Sequence, residues 1–145
     1  MNRDSDTIFP SLSRDTGKEL WDQFSAKESK VVWCFHAQSR YYFLEDDARL
    51  LCHTDAGAGA SNSNLQSLPF ARDVGPARVQ FLCMPANKMD KILRYLLFER
   101  RSRVQMLEHS SSGFEALEVE AFGLFSALDA GWDKHFASLR VATSA

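Results

Sequence analysis

The sequence predicts an α+β (mixed α/β) fold, with roughly six strands in a mixed sheet and about four helices packed on it. Three observations predict it. Short β-branched and aromatic runs occur in pairs, as buried strands do. Single segments with apolar residues at helical spacing separate those pairs. Stretches rich in Gly, Pro, Ser and Asn punctuate the series.

Taken in order, Met1 to Gly17 is polar, and Ser11-Leu12-Ser13-Arg14-Asp15 reads as flexible. Residues 1–16 are therefore the expected lead-in to a domain over 17–140, with 141–145 the expected tail cut from a longer chain. Thr16 is the expected cap of a short helix, Lys18 to Ser25, with Leu20, Trp21 and Phe24 at helical spacing. Lys30 to Phe35 is a buried strand, Ala37-Gln38-Ser39 turns, and Arg40 to Leu44 is a second strand. Glu45-Asp46-Asp47 opens a helix to about His53, its acids suited to the positive end of the helix dipole. Thr54 to Asn64 predicts a disordered loop. Leu65 to Phe70 is a short strand, Asp73-Val74-Gly75-Pro76 a turn, and Arg78 to Met84 a strand stopped by Pro85.

The strongest helix signal is Lys88 to Arg100, capped by Asn87. Met89, Ile92, Leu93, Leu96 and Leu97 form one apolar stripe, with Lys88, Lys91 and Arg94 on the other side. Arg103 to Glu108 and Glu115 to Phe122 are the last strand pair, joined by the Ser110-Ser111-Ser112-Gly113 loop. Asp129 or Asp133 caps a final helix through Lys134, Phe136 and Leu139.

Composition excludes several function classes. At 145 residues, 45% hydrophobic and 25% charged, the chain reads as one globular domain. Seventeen Lys and Arg against nineteen Asp and Glu leave a net charge of -2, so contact with DNA requires a local patch rather than a cationic chain. The cysteines, Cys34, Cys52 and Cys83, are odd in number and widely spaced, which predicts buried thiols in a reducing compartment. No apolar run approaches the roughly 20 residues of a membrane span, so no membrane partner is expected.

Two metal chemistries have residues that suggest them. Cys34-x-His36 and Cys52-His53 lack the ligand spacing of structural zinc. Glu45-Asp46-Asp47 offers carboxylates for a metal-dependent nuclease, but adjacent residues on a helix diverge, and helix opening explains them better. Gly57-Ala58-Gly59 is too short to cradle a phosphate, and no G-x-x-x-x-G-K-[ST] loop is present. No catalytic residue, metal or cofactor is expected in this chain. A protein-interaction module using Trp21, Phe122, Phe125 and Trp132 is the other alternative.

The strand at Val31, the aromatic turn Arg40-Tyr41-Tyr42-Phe43, the opening Glu45-Asp46-Asp47-Ala48 and Leu50-Leu51 follow one another. A glycine-rich gap, a strand ending Cys83-Met84-Pro85 and the helix–strand unit Met89 to Leu107 complete the series. In order and spacing it resembles the N-terminal, mismatch-binding domain of eukaryotic MutS family DNA mismatch-repair proteins. Leu20-Trp21-Asp22-Gln23-Phe24, Asn64-Leu65-Gln66-Ser67 and the run from Leu96 to Val104 are most similar to the homologue 2 branch.

The resemblance implies a nuclear protein that pairs with a second MutS homologue, of the 6 or 3 type. It also implies that the full-length protein is a DNA-dependent ATPase, with ATP and magnesium bound downstream of this domain. Family members that read mismatches carry Phe-x-Glu on the second strand, the ring wedging beside the mispaired base and the carboxylate hydrogen-bonding it. Arg40 and Tyr42 stand at those positions. A guanidinium is a poor apolar wedge, and a phenol is not a carboxylate. The expected role is therefore that of the non-reading subunit, giving weak, mismatch-blind duplex contacts. The DNA-contact candidates are Arg40, Tyr41, Tyr42, Lys88, Lys91 and Arg94. For Arg40 and Tyr42 a solvent-facing pair on an edge strand remains the alternative, and for the helix residues a solvated face. The Arg100-Arg101-Ser102-Arg103 cluster reads first as a complement to the helix C-terminus.

Overall fold

In the computed structural model, residues 7–9, 12–37, 39–54, 60, 65–71, 78–110 and 113–119 are described. They form a mixed six-stranded sheet in the order β3-β4-β2-β1-β5-β6. The strands are β1 (Val31–Ala37), β2 (Arg40–Leu44), β3 (Gln66–Leu68), β4 (Val79–Met84), β5 (Arg103–Ser110) and β6 (Gly113–Val119). Every pairing is antiparallel except β1 with β5, which run parallel from Val31↔Arg103 to His36↔Glu108. The mixed α/β class expected from the sequence is the class observed.

Both faces of the sheet are covered, and strand alternation sorts the side chains between them. Val32, Cys34, Tyr41, Phe43, Leu82, Met84, Val104 and Met106 face one way. Two helical segments lie over them: α2 (Glu45–Cys52) and a composite helix spanning residues 86–99. Val31, Trp33, Phe35, Leu44, Phe81 and Cys83 face the other way, beneath α1 (Arg14–Ala26) and the segment around Ile8 and Phe9. Five consecutive residues of β1, Val31 to Phe35, are buried as a result.

The folded unit begins earlier than residue 17. Ile8, Phe9 and Leu12 are buried in the core, so this part of the expected lead-in belongs to the domain. Ile8 forms a parallel bridge with Phe70, its N–H donating to the Pro69 carbonyl and its carbonyl accepting from the Ala71 N–H, both at 2.9 Å. That pairing draws Phe70 away from the expected strand Leu65–Phe70, and β3 ends at Leu68. Phe9 and Ala71, either side of the bridge, hold left-handed φ angles of 62° and 44°. For residues with a Cβ each such angle costs about 1–2 kcal/mol.

Helix α1 also starts earlier than expected. Ser13, not Thr16, is the cap: its hydroxyl accepts from the Thr16 N–H at 3.2 Å and donates to Thr16 Oγ1 at 2.8 Å. The composite helix likewise lacks the expected Asn87 cap. Pro85, with φ fixed at -74°, leads straight into a 3-10 turn (Ala86–Lys88), the Lys88 N–H donating to the Pro85 carbonyl at 3.1 Å. Helix α3 proper (Met89–Arg94) follows, then a wider π turn (Tyr95–Glu99) in which the Arg100 N–H reaches the Tyr95 carbonyl at 2.9 Å. Arg101 then takes a left-handed φ of 58°, the place where glycine is usual after a helix.

The described residues contain three helical segments; the expected fourth, through Lys134, Phe136 and Leu139, lies outside them. So do the turn at Asp73 to Pro76, the end of the expected strand at Phe122 and most of the loop from Thr54 to Asn64. No described helix is long and apolar enough to cross a membrane.

Candidate nucleic-acid interface

Strand β2 carries the residues on which the resemblance turns. It lies inside the sheet, paired on one side with β1 and on the other with β4, so the edge-strand placement is corrected. Only its first residue, Arg40, is well exposed. Tyr41 points to the face covered by α2 and α3, is 2% exposed, and rests its ring 4.7 Å from that of His36. Tyr41, expected as a DNA-contact candidate, is thus turned inward, because alternation sends positions 41 and 43 to one face and 40, 42 and 44 to the other.

Arg40 and Tyr42 thus share a face, as their spacing implies, but their surroundings differ. The Tyr42 ring is half-buried, with its centroid 6.0 Å from Phe9 and 6.0 Å from Phe81. Burial first, then the adjacent Cys83 thiol, push its hydroxyl up to about 12, while the Arg40 guanidinium pulls it down. Like an unperturbed tyrosine, Tyr42 is a neutral phenol in the physiological range. It has no negative charge to offer a base.

Lys88 and Lys91 are exposed and Arg94 is half-buried, on a helix that covers the opposite face of the sheet. The sheet separates them from Tyr42. What Arg40 and Lys88 have in common is an end of the sheet: Tyr41 pairs with Met84, so β2 starts where β4 stops and the composite helix begins. Among the remaining arginines, Arg103 donates from Nε to Glu118 at 2.9 Å across β5 and β6. Arg100 and Arg101 are exposed at the helix end.

The acidic trio diverges. Asp47 is 4% exposed, accepts the Trp33 N–H at 3.2 Å, and faces Lys27 Nζ at 3.3 Å. Its burial, opposed by Lys27 and the Trp33 N–H, holds its carboxyl above the usual range. Glu45 and Asp46 both engage the Arg49 guanidinium. These three carboxylates line a cleft of about 400 Å³ with Trp21, Phe24 and Lys27, and each has a cationic partner inside it. The arrangement is that of structural ion pairs rather than of a site with carboxylates converging on a metal. Cys34 is fully buried, and burial followed by the nearby Asp47 charge holds its thiol well above the ordinary value, which makes it unreactive. Cys83 is buried and Cys52 half-buried, and none of the three forms a disulfide.

Sequence reasoning missed Phe9. Its ring lies 5.4 Å from Phe35, 6.0 Å from Tyr42 and 5.8 Å from Phe70, joining a cluster that also holds Trp21, Phe24 and Trp33. The signal was the adjacent apolar pair Ile8-Phe9 within an otherwise polar lead-in. Trp21, a candidate for partner contacts, is half-buried against Phe24 and Phe70. Phe122, Phe125 and Trp132 lie outside the described residues. In comparisons with known proteins, no family model matches the chain and no curated protein matches it.

Proposed function

We propose that this chain is the N-terminal domain of the non-reading subunit of a MutS-type mismatch-repair heterodimer. In this reading it lies beside duplex DNA and supplies backbone contacts while a partner homologue, of the 6 or 3 type, inspects the base pair. The nuclear setting and the ATP and magnesium of the full-length protein come with the same proposal. The observation that carries it is the pair on β2: Arg40 exposed at the end of the strand, and Tyr42 half-buried between Phe9 and Phe81 on the same face.

A guanidinium at that place can hold a phosphate or lie in a minor groove. Neither residue provides the apolar wedge and the acceptor that a mismatch reader inserts. The sharing of one sheet end by Arg40 and Lys88 supports a backbone grip, and the net charge of -2 keeps that grip weak. The nuclease alternative loses its support, because the carboxylates it needs are engaged with Lys27 and Arg49.

The test is duplex binding by this chain as a function of salt. The expected dissociation constant is about 10⁻⁴ to 10⁻⁶ M, rising steeply with ionic strength. Arg40→Ala should weaken binding and reduce the salt slope by about 1. Binding that ignores both salt and Arg40→Ala, or a chain that holds a stable protein partner and never crosslinks to DNA at Arg40, would favour the interaction-module reading instead.

A further inference from the structure

At the end of the composite helix the backbone supplies the cap. The Arg100 N–H donates to the Tyr95 carbonyl at 2.9 Å, and the Ser102 N–H donates to the Leu96 carbonyl at 2.8 Å. The side chains of Arg100, Arg101 and Arg103 are not needed for those two carbonyls. The Arg103 N–H donates to the Lys30 carbonyl at 3.2 Å, which brings the turn before β1 alongside and Lys30 with it. All four cations are exposed. Among the described residues only Arg103 of the four is ion-paired, with Glu118. Arg101 holds its left-handed φ of 58° where glycine would sit without strain. On the π turn, Tyr95 and Phe98 pack against the core and stay half-buried. Guanidinium groups beside partly open rings are the composition of a protein-binding surface.

Charge decides the kind of partner. The same segments carry Glu28, Glu99 and Glu118, all exposed, so the excess is a single positive charge. A phosphate backbone, charged at every step, would run against those carboxylates. A protein segment can set its own acids against the cations and pass the glutamates with neutral residues. We propose that Lys30, Arg100, Arg101 and Arg103, around Tyr95 and Phe98, form a docking surface for an acidic segment of a protein partner. The surface stands at the opposite end of β1 from Arg40, seven residues or about 20 Å away, and is separate from the duplex contact proposed above.

The test uses the whole chain and a short fluorescein-labelled peptide of glutamates interspersed with leucine and phenylalanine, read by polarisation. The same peptide with glutamine for glutamate, and a paired DNA duplex, run beside it. The wild type should bind the glutamate peptide, and R100E/R101E should weaken it by roughly tenfold, with duplex binding unchanged. Arg101→Gly suits the left-handed angle and keeps the fold, and it should weaken the peptide roughly threefold. Equal binding of the glutamine peptide, or a glutamate peptide that does not bind, overturns the proposal. Loss of duplex binding in R100E/R101E overturns it in favour of nucleic acid, and a wild-type dimer that R100E/R101E dissolves overturns it in favour of a second copy. A chain that binds the glutamate peptide through these arginines but no duplex leaves this surface standing and sinks only the DNA-adjacent reading.

Discussion

The two faces of the sheet are built from different materials. The face under α2 and the composite helix is mostly aliphatic, with Val32, Leu82, Ile92, Leu93 and Leu96 in contact. The face under α1 is rich in aromatic rings: Phe9, Phe24, Trp33, Phe35 and Phe70 meet in pairs at centroid distances between 5.4 and 6.1 Å, and Phe81 meets Tyr42 at 6.0 Å. Aliphatic side chains fill space with few directional demands, whereas rings prefer tilted and edge-on arrangements and are harder to replace. The aliphatic face is therefore a generic support. The aromatic face is specified, and it carries Arg40 and Tyr42.

The largest expected effect breaks that specified face. Phe35→Ala removes a ring that touches Phe9, Phe24 and Trp33, and should cost roughly 3–5 kcal/mol in chemical denaturation. The comparison sharpens with milder changes. Leu93→Met on the aliphatic face should cost less than about 1.5 kcal/mol, and Phe35→Leu should exceed it. Equal costs would mean that the two faces do not differ in how strictly they are specified.

Next comes the ion pair that ties α1's end to α2. Asp47→Ala leaves Lys27 and the Trp33 N–H without their partner and should cost roughly 3 kcal/mol. Asp47→Asn gives a pH signature. The folded carboxyl titrates above its ordinary value of 3.8, so its contribution is full below that value and is lost as pH rises through the raised one. The stability of Asp47→Asn relative to wild type should therefore grow as pH increases from about 4. A difference that stays flat with pH would contradict the buried placement of Asp47.

The smallest expected change is at the cap of α1. Ser13→Ala should cost about 1 kcal/mol, while Thr16→Ala should cost less, since Thr16 only receives the cap. The reverse order would restore the helix start that the sequence suggested.

What was legible in the sequence follows the same division. The apolar stripe Met89, Ile92, Leu93, Leu96 and Leu97 announced the composite helix, and all five residues are buried. The β-branched and aromatic runs announced β1, β2, β4 and β5, because their patterns are local. Phe9 and Phe70 were not legible as neighbours, since they lie far apart in the chain and meet through the Ile8 bridge. Tyr41 was misplaced for a related reason. In a strand buried on both sides, alternation no longer marks which residue meets solvent, and Tyr41 and Tyr42 look alike until a helix is seen to cover one of them. The π turn after Arg94 and the left-handed Arg101 have no sequence mark that we can identify.

The central claim is that the face bearing Arg40 and Tyr42 can hold a duplex without judging its base pairs. It is tested most directly by titrating the chain with a G·T duplex and its fully paired counterpart at one salt concentration. Affinities within about twofold of each other are the predicted result, since phosphate contacts carry no sequence information. A preference of more than about tenfold for the mismatch, equivalent to some 1.4 kcal/mol of discrimination, would contradict it.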